Sequence, residues 1–326
     1  MRGLRSPMAA AGLAVAGLVA SALALASASS PAHAQLTGGR PVSLPAPSAS
    51  LNNPAKIVAP PAGFSPRVPP GFVVSVFASG FAEPRWLAVA PSGDLFVADS
   101  AAGRIVVLHD PERAGTAQSR EIFADGLAQP FGIAFRGGFV YVAEQDGLDR
   151  FRFDAKTSRR LSAKERLRAL PPAVAVSGPN LYPHWTRALA FSRDGSRLFV
   201  SVGTKSNLAL DDDPQRALIE ECDPDARACP VFARGLRNAV GIAVHPQTGR
   251  LWAAVNERGG LGDDVPPDYL TEVRRGGFYG FPFAYVGAHE DARVRPRRPD
   301  LVAKALVPDL LLTAHASPLQ LVFYEG

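Results

Sequence analysis

The chain has 326 residues, of which 47% are hydrophobic and 20% charged, and its formal net charge at pH 7 is +5. Arg2 and Arg5 but no acidic residue fall within positions 1–34, so the remainder carries +3, too mild a charge for a nucleic-acid partner. Two cysteines, Cys222 and Cys229, are too few to hold a core together, and without a Cys-x-x-Cys-His run the chain attaches no c-type haem.

Residues 1–34 read as an export signal. Two arginines precede an Ala/Leu/Val run from Met8 to Ala26, and small residues end at Ala32-His33-Ala34, which places cleavage before Gln35. The nearby cleavage site distinguishes this run from a membrane anchor, and no later stretch reaches the ~18 uninterrupted apolar residues of a span. The expectation is a soluble periplasmic or secreted protein, in which Cys222 and Cys229 form a local disulfide. Residues 35–69 hold eight prolines and no sustained period, as a linker or a strapped-on arm does.

Residues 70–326 read as one repeating all-β domain. Gly80-Phe81-Ala82-Glu83-Pro84-Arg85-Trp86-Leu87-Ala88-Val89 aligns without gaps on the decapeptides starting at Gly126 and Gly235. Looser copies start at Tyr182, through Leu189-Ala190-Phe191, and at Ala314, through Leu321-Val322-Phe323. After each of the first four comes a turn and a second apolar run: Leu95–Ala98, Phe139–Val142, Leu198–Ser201 and Leu251–Ala254. The copies begin 46, 56, 53 and 79 residues apart. Hairpins at spacings of about 40 to 50 are the mark of propeller blades; solenoid repeats are usually shorter. The predicted fold is a β-propeller incomplete at its C-terminus, with about four blades and the start of a fifth.

The register also points to a site, because the residues just before each innermost strand line a shared axial mouth. Its third position is Ala82 and Ala128 in the first two copies, then His184 and Arg237. A histidine takes a proton near neutral pH, arginine offers a fixed fork of donors, and Asn238 adds an amide. Alternatively these side chains satisfy buried backbone groups at the blade mouths, and spacing alone leaves both readings open. Beyond the fourth second strand, Asn256-Glu257-Arg258-Gly259-Gly260-Leu261-Gly262-Asp263-Asp264 combines glycines with acids, which suits a turn or a hard cation such as calcium. His315 falls one position before the register of His184. Arg293, Arg295, Arg297 and Arg298, interleaved with Pro296 and Pro299, read as a solvated loop. No glycine-rich dinucleotide or phosphate loop and no Gly-x-Ser-x-Gly elbow is present.

These motifs resemble a known family. His184-Trp185-Thr186-Arg187, Ser201-Val202-Gly203-Thr204, Gly235-Leu236-Arg237-Asn238, Asn256-Glu257-Arg258 and Gly276-Gly277-Phe278-Tyr279-Gly280-Phe281-Pro282 are similar to the sorbosone dehydrogenase branch of the soluble quinoprotein sugar dehydrogenases. The resemblance implies a six-bladed propeller holding pyrroloquinoline quinone and calcium at the axial mouth and oxidising an aldose or sugar aldehyde. It implies His184 as base, Arg237 and Asn238 on the quinone oxygens, Arg85 on a cofactor carboxylate, and the Gly259 and Gly260 carbonyls as calcium ligands. With no haem in the chain, electrons would leave to a separate acceptor. It also implies a further blade and a half, carrying lysines and arginines for the cofactor, so the sequence reads as truncated. Gly259 stands where the family usually has Asp, Pro183 where Gly is common, and Gln320 where Gly is usual. The competing functions are a non-catalytic NHL-like propeller that binds carbohydrate or protein, and a calcium-dependent lactonase.

Overall fold

The computed structural model describes residues 34–50, 56, 58–173, 184–208 and 213–325. The expected export signal, apart from Ala34, lies outside the described residues, as does the start of the third decapeptide copy. No helix among the described residues is long and apolar enough to cross a membrane.

After a short arm strand, β1 (Gln35–Leu36), come three antiparallel four-stranded sheets. Blade 1 is β2 (Pro84–Val89), β3 (Leu95–Asp99), β4 (Arg104–His109) and β5 (Ser119–Ala124). Blade 2 is β6 (Ile133–Arg136), β7 (Phe139–Glu144), β8 (Gly147–Arg152) and β9 (Glu165–Ala169). Blade 3 is β10 (Leu189–Phe191), β11 (Leu198–Val202), β12 (Leu218–Cys222) and β13 (Val231–Arg234). Blade 4 starts with β14 (Ala239–Val244), β15 (Leu251–Val255) and β16 (Pro267–Glu272). An insertion with the hairpin β17 (Ala284–Tyr285) and β18 (His289–Glu290) and the helical turn α1 (Pro299–Val302) precedes its fourth strand, β19 (Leu310–Ala314). The arm closes this sheet: Gln35 pairs with Leu311 and Leu36 with Leu310.

All four expected second runs are strands, within β3, β7, β11 and β15. Each is sandwiched between neighbouring strands and blades, so β11 is buried along its whole length and reads as a continuous apolar run, not an alternating one. The inner strands β2, β6, β10 and β14 lie side by side in chain order. In blades 2 and 4 the close approach to the next copy depends on glycine at the seventh decapeptide position. A Cβ on Gly132 would stand 2.4 Å from the Arg187 carbonyl oxygen, and one on Gly241 would stand 2.8 Å from the Gln320 Cα. The backbone of the fifth copy thus lies along blade 4 as that of the third lies along blade 2. Leu321–Phe323 form no strand, however. A strand needs a ladder partner, and none of the described residues supplies one.

Aromatic rings fill the wedge between the blades. Trp86 and Phe131 approach to 5.1 Å between centroids and Phe131 and Trp185 to 5.7 Å, a row that ends beside His184. Acids tie down the lead-ins of blades 1 and 2 and of the fifth copy. Asp99 accepts from the Ala82 and Glu83 amides, Glu144 from Ala128, and Asp268 from Ser317. Cys222 and Cys229 are joined in a disulfide that clips one loop of blade 3.

Candidate functional site

Bulges aim the mouth residues. The β2–β3 register shifts between Pro84 and Trp86, and the β14–β15 register between Ala239 and Gly241. The bulged residues, Arg85 and Val240, occupy the same decapeptide position, and both line a cavity of about 150 Å³ with His184, Trp185, Thr186, Asn238, Asn256 and Leu319. The Arg85 guanidinium lies over the Trp185 ring, 5.4 Å from its centroid.

Among the described residues, four buried polar atoms of this lining have no hydrogen-bond partner: Arg85 Nε, Thr186 Oγ1, Asn238 Oδ1 and Asn256 Oδ1. Leaving one such atom unsatisfied costs about 1–3 kcal/mol, so four at one cavity make it the candidate place for a polar ligand. Gly203 makes the packing possible, since a Cβ there would stand 2.3 Å from Asn238 Oδ1 and 2.8 Å from the His184 Cβ.

The tautomer of His184 follows from its neighbours. Nδ1 lies 3.0 Å from the Thr204 carbonyl oxygen, which can only accept, and 2.7 Å from Thr204 Oγ1, whose own hydrogen goes to the Ser206 carbonyl. Nδ1 therefore carries the proton and Nε2 keeps its lone pair, with no partner among the described residues. Burial, then the Arg237 charge, with further push from Arg187 and Arg216, lowers the His184 pKa to about 3, although the Thr204 bond opposes this. The ring is neutral at pH 7 and a weak base while the cavity holds no anion.

Arg237 does not offer its fork to the cavity. Nε donates to the Asn207 carbonyl, Nη1 to the Asn256 and Glu257 carbonyls, and Nη2 to Asn207 Oδ1. The expected contact with quinone oxygens is thus replaced by a clamp that holds the loops carrying Asn207 and Asn256. His184 lines the cavity and Arg237 does not. They share Thr204, whose carbonyl and hydroxyl meet His184 Nδ1 and whose amide donates to the Arg237 carbonyl. Arg187, fully buried, caps the His184, Thr186 and Pro171 carbonyls in the same way.

The carbonyls expected to hold calcium are already engaged. Arg293 Nη1 donates to Gly259 O at 3.1 Å and to Gly260 O at 2.7 Å, so a metal there would have to displace a guanidinium. Asp263 and Asp264 are exposed. The only grouping of three metal-capable side chains among the described residues is Glu220 with the two disulfide cysteines. His315 donates from Nε2 to the Gly262 carbonyl. A larger cavity, about 630 Å³, lies between blades 3 and 4, but Arg250 and Arg275 on its wall already pair with Glu272 and Glu221.

Thr186, Asn256, Trp185 and Leu319 were not singled out from sequence as cavity residues. The available signal was the register itself, since Trp185 and Asn238 share its fourth position, and Leu319 shares the sixth with Arg85 and Val240.

A pyrroloquinoline quinone-dependent sugar dehydrogenase of Hypocrea jecorina is 24% identical to this chain over 315 residues, covering 79% of this chain and 70% of that protein. The holo PQQ domain of pyranose dehydrogenase from Coprinopsis cinerea superposes with a TM-score of 0.65 at 22% identity, over 82% of this chain and 75% of that one. A calcium structure from Trichoderma reesei, of carbohydrate-active enzyme family AA12, gives 0.63 at 20% identity, over 87% and 76%. The fold is therefore that of these proteins, and with residues 66–265 matching TrAA12-like, the chain belongs to the TrAA12-like family.

Proposed function

We propose that this protein oxidises an aldose or sugar aldehyde, of the sorbosone or glucose type, using pyrroloquinoline quinone. The observation that carries the reading is the set of four orphaned polar atoms beside the free Nε2 of His184. The quinone, when bound, supplies a hydride acceptor. This set fits a flat ligand rich in oxygen and N–H groups: Arg85 Nε donates, Asn238 Oδ1 and Asn256 Oδ1 accept, and Thr186 Oγ1 does either. The described cavity is about half the ~300 Å³ at the lower end of ordinary ligand pockets, so ligand and substrate must also extend beyond this wall.

His184 Nε2 takes the proton of the substrate hydroxyl or hydrated aldehyde, while Thr204 holds the ring in the required tautomer. Burial is the first cause of the low His184 pKa, and the Arg237, Arg187 and Arg216 charges add to it; an anionic ligand in the cavity opposes those charges and moves the pKa upward. No step is assigned to calcium. Electrons leave to a separate acceptor. The leader-like residues 1–34 and the Cys222–Cys229 disulfide support export to the periplasm or beyond.

The test is reconstitution. Purified protein given pyrroloquinoline quinone should develop bound-quinone absorbance that an aldose or sugar aldehyde bleaches, and His184→Ala should keep the absorbance but lose the bleaching. No absorbance change, with His184→Ala indistinguishable from the parent, would favour a binding propeller. Lactone hydrolysis with calcium and no quinone would favour a lactonase.

A further inference from the structure

Arg293 was read from sequence as part of a solvated loop, yet it is the most fully engaged arginine of that segment. Nε and Nη2 grip the Asp291 carboxylate at 2.9 and 2.7 Å, and Nη1 bridges the Gly259 and Gly260 carbonyls. The guanidinium thus fills a space walled by hard oxygen atoms: one carboxylate and two convergent carbonyls. These oxygens, completed by water, are of the kind that hold calcium, which takes about six to eight; here one monovalent cation on a side chain occupies the space, and Asn207 Nδ2 also donates to the Gly259 carbonyl at 3.2 Å.

The surroundings are fitted to the guanidinium. Asp291 has no exposed side-chain surface, and it is further held by Arg258 Nη1 at 3.3 Å. Burial alone would raise the Asp291 pKa, but the Arg293 bonds and the charges of Arg258 and Arg293 bring it below the usual value, so the carboxylate is ionised against its cations. Gly260 has φ +88°, and a Cβ there would stand 2.6 Å from Arg293 Nη1. The glycine at this point is what admits the guanidinium.

We propose that Arg293 is a tethered cation that takes the place of calcium between Asp291 and the Gly259 and Gly260 carbonyls, so that this chain needs no metal at that position. The inference bears on the metal position alone. It is read out on protein without quinone, so its failure is separate from any failure of the sugar dehydrogenase reading.

The experiment compares the parent with Arg293→Gln and Arg293→Lys by calorimetric titration with calcium chloride and by thermal melts in calcium and in chelator. The parent should show no saturable calcium binding and the same melting temperature in both buffers. Arg293→Gln, with the oxygen set freed, should bind one calcium about 10-fold or more tightly than the parent and melt higher in calcium than in chelator. Arg293→Lys keeps a tethered charge and should resemble the parent in both assays. If Arg293→Gln folds only with calcium present, that too supports the proposal. One calcium bound by the parent with the affinity of Arg293→Gln would overturn it, as would an Arg293→Gln protein whose melting ignores calcium.

Discussion

Asp149→Asn should stabilise this protein at alkaline pH and change it little in mild acid. Glu144, the last residue of β7, and Asp149, within β8 opposite Val142, are both buried. Glu144 receives the Ala128 amide and Lys164 Nζ at 2.9 Å, with Arg166 Nη2 at 3.7 Å. Asp149 Oδ1 receives Arg166 Nε at 2.6 Å, and Asp146 faces the same arginine. Among the described residues Asp149 Oδ2 has no donor, a difficulty that one proton shared with Glu144 removes. Burial, then Glu144, raises the Asp149 pKa from 3.8 to about 7, against the pull of Arg166. A carboxyl raised in the fold stabilises only while protonated. Its contribution is complete below about 3.8 and is lost as pH climbs through 7. At 1.36 kcal/mol per pKa unit the ceiling is about 4 kcal/mol. The part of this lost between pH 5 and 7 is about 2–3 kcal/mol, and Glu144, lowered despite burial by its bond to Asp149 and by Lys164, is already ionised over that interval and does not alter it. Asparagine mimics the protonated acid, donating to Glu144 and accepting from Arg166. Urea unfolding at pH 5 and pH 8.5 should therefore show the parent losing about 2–3 kcal/mol more than the variant over that interval. Parallel pH profiles, or a variant less stable than the parent at pH 8.5, would refute the shared proton.

Nitrogen NMR of His184 should report a neutral ring protonated at Nδ1 from pH 5 to 8, in keeping with a pKa of about 3; a proton found on Nε2 would contradict the role given to Thr204. Gly132→Ala drives a Cβ into the Arg187 carbonyl and the Leu189 amide, so it should cost about 2–3 kcal/mol in thermal or urea unfolding. Gly259→Ala is the contrast, since its Cβ meets nothing nearer than Asn207 Oδ1 at 3.9 Å, and it should stay within about 0.5 kcal/mol of the parent. Replacing Cys222 and Cys229 together by serine opens a loop of seven residues' separation, for a loss of about 2.5 kcal/mol with the fold intact by circular dichroism.

The blade framework was legible because it is written twice, in the decapeptide and in the apolar run that follows it. Gly132 and Gly241 recur because blades 2 and 4 each meet the backbone of the next copy at that position. What the repeat did not disclose was long-range. β19 completes blade 4 only after an insertion organised around Arg258, which donates to the Pro282 and Ala284 carbonyls and lies over Phe281. No local pattern marks a strand whose register partners lie 40 to 47 residues back, Leu310 on Leu270 and Ala314 on Pro267. At the site, His184 was found through its register, but the register could not say where a long side chain ends. Arg237 and Arg293 reach 19 to 34 residues away for carbonyl oxygens, and carbonyls are carried by every residue type. A contact made to backbone leaves no trace in the composition of its partner.

The buried cations beneath the cavity carry a consequence for how molecules arrive. Arg187 and Arg237 are solvated by peptide carbonyls, while Asp146 acts on Arg187 and Glu257 and Asp268 act on Arg237 without a direct ion pair among the described residues. A field that is only partly neutralised extends outward through the low-dielectric wedge between the blades. Visitors bearing negative charge are then drawn in over distances comparable to the Debye length, and their rate of capture falls as ionic strength rises, whereas uncharged sugars arrive at a rate indifferent to salt.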